Sequence, residues 1–193
     1  MSTLCGVSKA VSTVIAGVAI LAICAGCSSA ARENDAMKDA FDTLMKRPSI
    51  TALEADYQSM YTTIRERLIA EVGVAEWVPD DEPMSSSGCG EPLSNLDDGE
   101  QRTYGAGWSP GNLPDAKWGQ AVAIVTEVAK QHGFGGPRVV VDGPSDHEVS
   151  FHDTYDGSML FGTGANTILG GFTGCHLSEK AHQRGTYLPP KKY

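Results

Sequence analysis

Residues 138–175 read RVVVDGPSDHEVSFHDTYDGSMLFGTGANTILGGFTGC. Through this stretch the apolar positions recur every second residue, the period of a half-buried strand rather than a helix. Arg138–Asp142, with three consecutive valines, reads as a buried strand, and Gly143-Pro144-Ser145-Asp146 after it is a turn. His147–Asp153 alternates as a second strand. Asp156-Gly157 is a strong hairpin signal, Ser158–Gly162 makes a third strand, and Asn166–Cys175 a fourth after the Gly164-Ala165-Asn166 turn. Four strands joined by turns this short predict an antiparallel meander.

Upstream the period is helical. Pro114 and Asp115 open a helix reaching about His132, ended by Gly133, with Trp118, Ala121, Val122, Val125, Val128 and Ala129 on one stripe. Two earlier amphipathic helices are expected. Asn34–Arg47 carries Met37, Phe41, Leu44 and Met45 on one face, before Pro48. The next starts at a Ser49 or Thr51 cap, the latter with Glu54 in capping-box spacing, and runs to Val72 with Gly73 as its stop. The fold class is therefore α+β: N-terminal amphipathic helices, then a helix packed on a small antiparallel sheet, with one disulfide. Between them, residues 74–113 dissolve into Pro, Gly, Ser and acids. A structureless loop that long is uncommon, so Trp77, Cys89, Tyr104 and Trp108 are its expected anchors. Short edge strands are conceivable around Glu76–Val78 or Arg102–Gly105.

The chain begins with a different signal. Lys9 is the only charge in the first 31 residues, an apolar run spans Ala10–Ile23, and Leu21-Ala22-Ile23-Cys24-Ala25-Gly26-Cys27 closes it. A positive start, an apolar middle and small residues before the cut make a secretory signal. Ala25-Gly26 before Cys27 suits a lipoprotein signal peptidase, so Cys27 is the expected acyl site, carrying a diacylglycerol and palmitate anchor. An uncleaved membrane helix is the competing reading, but the apolar core is shorter than the roughly 20 residues a span needs. The expected organisation is a signal over 1–26, an acylated cysteine and tether over 27–33, one α+β domain over 34–180 and a polar tail over 181–193.

Of five cysteines, Cys5 and Cys24 leave with the signal and Cys27 is acylated, which leaves Cys89 and Cys175. Two thiols in an exported, oxidising setting most simply pair. A nucleophilic thiol is the competing reading. The net charge is −9, and it is uneven: Ser28–Glu100 holds 6 basic and 16 acidic residues, Gln101–Tyr193 8 of each. Such a chain lacks the basic footprint that nucleic acid requires. It would also be repelled by an anionic leaflet, so membrane attachment must come from the acyl chains.

Catalytic signals are weak. Glu148 and His152 fall on one strand face and, with His176, are the best available metal ligands, whereas His147 faces the other way. Solvated polar residues flanking a strand account for them better, and neither a metal nor another cofactor is expected. Gly162-Thr163-Gly164 and Gly170-Gly171 lack the Lys-Ser/Thr and the helix that a phosphate loop needs, and turn or bulge glycines explain them. No Gly-x-Ser-x-Gly is present, and the acidic runs lack calcium-loop spacing.

Several motifs together resemble the mycobacterial LppA-type lipoproteins. They are the lipobox; Arg47-Pro48-Ser49 leading to Ile64-Arg65-Glu66-Arg67-Leu68; Trp77-Val78-Pro79-Asp80 with Ser87-Gly88-Cys89-Gly90; and Ser109-Pro110-Gly111-Asn112-Leu113-Pro114-Asp115 before Trp118–Val125. Asp146–Ser150 and Thr173–Leu177 extend the likeness toward the C terminus. The resemblance implies an envelope lipoprotein, brings no catalytic residues, and carries over only Cys27 as an acyl site. The expected function is a non-enzymatic accessory or protein-binding module on the outer face of the cytoplasmic membrane. The alternative is a carrier of a lipid or other small envelope ligand, in a groove between the third helix and the sheet lined by Trp118, Val122 and Val125. An enzyme acting on envelope polymers has no supporting constellation.

Overall fold

The computed structural model describes residues 31–189; the expected signal, the expected acyl site Cys27 and the last four residues lie outside them. Helix α1 occupies 31–44, slightly earlier than the expected Asn34–Arg47. Helix α2 is Ile50–Arg67. Its cap is Ser49, whose hydroxyl accepts from the Ala52 N–H at 3.3 Å, because Glu54 is engaged elsewhere: it takes the Nε of Arg102 at 3.1 Å. α2 continues into one π-helical turn, Leu68–Val72, that keeps both end residues buried and stops at Gly73 with φ +79°. Helix α3 is Asp115–Gln131, and Phe134 folds back beneath its end, donating its N–H to the Ala129 carbonyl.

The expected meander forms, but its first strand, expected to be buried, lies exposed at the sheet's edge, where only one neighbour covers it. Strands β3 (Arg138–Gly143), β4 (Asp146–His152), β5 (Ser158–Thr163) and β6 (Asn166–Phe172) pair antiparallel in sequence order. The fourth strand stops at Phe172 rather than Cys175, and His176–Leu177 forms a separate short strand, β7.

The segment 74–113 is not the loop that its composition predicts. It supplies β1 (Met84–Gly88) and the twelve-residue β2 (Gly99–Pro110), which docks along the free edge of β6. The full order is β1-β2-β6-β5-β4-β3, with β7 also on β2. Arg102–Gly105 is thus interior to the sheet, and Glu76–Val78 contributes only one bridge, Val78 to Trp108. The alternation is hidden because β2 bulges between Gly105 and Trp108. Gly107 takes φ +82° there, where the chain passes close to Val78 and Pro79.

Two cores hold these layers. In the larger, α2 and α3 cover one face of the sheet, with Tyr57, Ile64, Leu68, Val125, Phe151 and Phe161 among its members. In the smaller, Phe41 and Leu44 of α1 pack on the Cys89–Cys175 disulfide, Leu177 and Ala181. Ala181 belongs to a short helix α4 (Glu179–Arg184), so the tail taken to start at 181 is helical at first. The paired glycines of β6 are clearance rather than a bulge. A Cβ at Gly171 would stand 2.9 Å from the Tyr61 hydroxyl of α2. No helix among the described residues is long and apolar enough to cross a membrane.

Candidate functional site

The helices cover one side of the sheet, and the strand period places the remaining side chains on the other. Register aligns them in rows: Trp108 opposite Ile168, then Gly162 and Glu148; Gly170, Leu160 and Ser150; Thr103, Phe172, Ser158 and His152. Trp108 is 38 %, Ile168 40 % and Phe172 47 % exposed, and Val78 prolongs the apolar strip beside Trp108. With half-buried Leu160 between Ile168 and Phe172, this is an aromatic and aliphatic patch on a face whose other members are glycines and polar residues. Clustered exposed apolar side chains of this kind mark interaction surfaces more often than scattered ones do.

The space expected to be a groove under α3 is filled. Trp118 lies flat against both His147 and Phe161, with ring centroids 5.1 Å away in each case, and Val125 is fully enclosed. His147 is itself bracketed by carboxylates: Nδ1 is 2.9 Å from Asp142 and Nε2 3.3 Å from Asp115. Asp115 also accepts the Ser145 N–H, so this cluster fastens the first turn of α3 to the β3–β4 hairpin.

Two surface hollows flank α2. One, about 460 Å³, lies between α2 and the β1–β2 edge and is lined by Gln58, Thr62, Arg65, Asp80, Met84 and the rings of Tyr61 and Tyr104. Both phenol hydroxyls are buried without a hydrogen-bond partner among the described residues, and burial pushes both up from the ordinary tyrosine range. The other, about 290 Å³, holds the His132–Asp56 pair (2.9 Å) beside Asp153 and Tyr155. Asp153 is committed to structure. It accepts the Tyr57 hydroxyl at 2.6 Å and the Tyr155 and Gly157 N–H groups at 2.8 and 2.7 Å.

The candidate metal ligands are not brought together. His152 is exposed at the end of β4, Glu148 is half-buried on the outer face, and His176 is fully enclosed. The Pro48 carbonyl accepts from His176 Nδ1 at 2.9 Å, which places the hydrogen on that nitrogen. The ring stands edge-on to Tyr155, and burial holds it below the usual histidine range. A side chain locked this way cannot turn to meet an ion shared with the sheet's outer face. Among the described residues no three His, Cys, Asp or Glu side chains converge to hold a metal.

Cys89 and Cys175 do pair, with Cα atoms 5.5 Å apart and a dihedral of 85°. Gly99 is the residue that the sequence reading passed over: a Cβ there would stand 2.7 Å from the Cys89 sulfur. Its place four residues before Thr103 gave no hint of that contact.

The profile of the LppA family, described as a lipoprotein confined to pathogenic Mycobacterium, matches residues 26–179. The crystal structure of LppA from Mycobacterium tuberculosis is similar in fold, with a TM-score of 0.58 at 16 % identity, covering 85 % of this chain and 99 % of that one. None of the curated proteins compared matches the chain.

Proposed function

The chain belongs to the LppA family of lipoproteins, and from that premise we propose that it is a non-enzymatic binding module. In this reading, acyl chains on Cys27 hold the domain at the outer face of the cytoplasmic membrane, and the uncovered side of the sheet engages an envelope protein. The observation that carries it is the Trp108–Ile168 pair with Phe172, large apolar side chains left exposed beside a core that is filled. Aromatic anchors of this size dominate the energetics of protein interfaces. Two acyl chains make retention at the membrane stable where one would not.

One observation favours the carrier reading, at a different place from the groove under α3. The hollow between α2 and the β1–β2 edge is lined by the rings of Tyr61 and Tyr104, against which a small ligand with a flat apolar part could pack. Its open, charged rim favours it less than a closed apolar pocket would.

A photoreactive residue in place of Ile168, in whole cells, tests the leading reading. The tethered chain is expected in the membrane fraction with one discrete protein adduct. The same chain carrying Cys27→Ala is expected in the soluble fraction with that adduct lost. A membrane-retained Cys27→Ala chain would refute the acyl tether, and labelling of bulk lipid alone would refute the protein partner.

A further inference from the structure

Strand β1 closes the sheet on the side away from the meander and pairs only with β2, in unbroken register from Met84–Tyr104 to Gly88–Glu100. Among the described residues no backbone bond reaches its outer edge, and Ser85, Ser86, Ser87 and Gly88 are exposed. Such an edge turns N–H and C=O groups outward, where another strand can take them. The far edge of the sheet is guarded by the bulge of β3 between Val139 and Val141. Strand β1 carries no bulge, no proline and no charge.

The surroundings of β1 select what pairs there. Residues 74–100, which lead into the strand and out of it, hold eight carboxylates and no Lys, Arg or His. Asp80, Asp81 and Glu82, just before the strand, are exposed and make no ion pair among the described residues. Arg65, across the hollow on α2, is held by the Ala106 carbonyl at 3.1 Å and the Thr62 hydroxyl at 3.3 Å. The hollow itself, about 460 Å³, lies at the start of β1, where Pro79, Pro83, Met84 and the two tyrosine rings line it. Met84 faces the helices and packs on the larger core. A strand added outside β1 sets the side chain opposite Met84 on that same side, at the hollow.

We propose that β1 is a docking edge for an extended, Lys- or Arg-rich segment of the partner protein, which joins the sheet as a further strand. Backbone bonds supply the affinity, the hollow takes one apolar side chain, and the carboxylates before β1 select the basic ones. Successive side chains of a strand point to opposite faces, so the segment alternates apolar and basic residues. The proposal rests on the binding-module reading above and gives that partner a chemistry.

The test uses the full chain extracted into neutral detergent, with a labelled peptide of alternating lysine and valine as probe. Fluorescence anisotropy reads binding, and hydrogen exchange reads its place. The peptide is expected to bind and to slow exchange of the β1 amides, and its counterpart of alternating glutamate and valine is expected not to bind. Asp80→Asn with Asp81→Asn and Glu82→Gln, all in an exposed loop, is expected to weaken binding roughly tenfold. The same peptide N-methylated throughout keeps its charge but donates no backbone hydrogen bond, and is expected to bind at least about tenfold more weakly. Binding indifferent to the three neutral substitutions, equal binding of the N-methylated peptide, or protection outside β1 would each overturn the proposal. In whole cells, a photoreactive residue in place of Ser86 is expected to join the same protein as one in place of Ile168. An adduct at Ile168 with none at Ser86 counts against the edge alone. Protection of β1 by the peptide with no adduct at Ile168 supports the edge and counts against the outer face. An adduct of Ser86 to a second copy, or to Lys191 and Lys192 of its own chain, would overturn the partner named here.

Discussion

Replacing Cys89 and Cys175 together by alanine is expected to lower the unfolding free energy by about 3–5 kcal/mol, a large share of what a domain of this size possesses. The two residues lie 86 apart in sequence. The bond therefore encloses β2, α3 and the whole meander, and by the chain-entropy argument a loop of that length is worth roughly 4–5 kcal/mol. The loss is also local. The sulfurs fill the centre of the smaller core, against Leu96 and Leu177, where α1 packs. Urea titration of the double variant should show a lower midpoint, and α1 and residues 89–98 should lose hydrogen-exchange protection first. An unchanged midpoint would mean that the bond constrains nothing the fold does not already fix.

Phe161→Ala is expected to cost a further independent 3–5 kcal/mol or so, in the range of large-to-small changes at enclosed aromatic sites. Its ring is fully buried and lies flat under Trp118, at the point where α3 is fastened to the sheet. A hole there cannot collapse easily, because Trp118 is also held against His147, whose two carboxylate partners fix the hairpin. Phe172→Ala is the matched control. That ring is of the same kind but 47 % exposed on the opposite face, so its removal should cost less than about 1 kcal/mol. Equal effects in urea unfolding would contradict the assignment of one face to the core and the other to solvent.

How much of this was legible varied with local signal. Helices α2 and α3 and strands β3–β6 could be read because their apolar periods are unbroken and their stops, Gly73, Gly133 and Asp156-Gly157, are explicit. β2 could not be read. Gly105, Gly107 and the bulge beside them erase its alternation, and its pairing with β6 joins residues such as Trp108 and Ile168 that lie far apart in the chain. For the same reason the exposed patch was invisible: Trp108 looked like an anchor for a loop, whereas its neighbour across the sheet is what makes it a surface. The disulfide followed from compartment and count alone. The role of His176 followed from nothing local, because its partner, the Pro48 carbonyl, is brought to it by the packing of α2 against α4, where Ser49 bonds Glu179.

The core is closed, and the proposed function resides on the sheet's open face. Native mass spectrometry of the intact chain, extracted from the membranes of cells that make envelope lipids, tests it most directly. The predicted result is the mass of the acylated polypeptide, alone or as a protein complex. A small-molecule mass that stays bound in the folded chain and departs on unfolding would contradict the claim and place the function in the hollow beside Tyr61 and Tyr104.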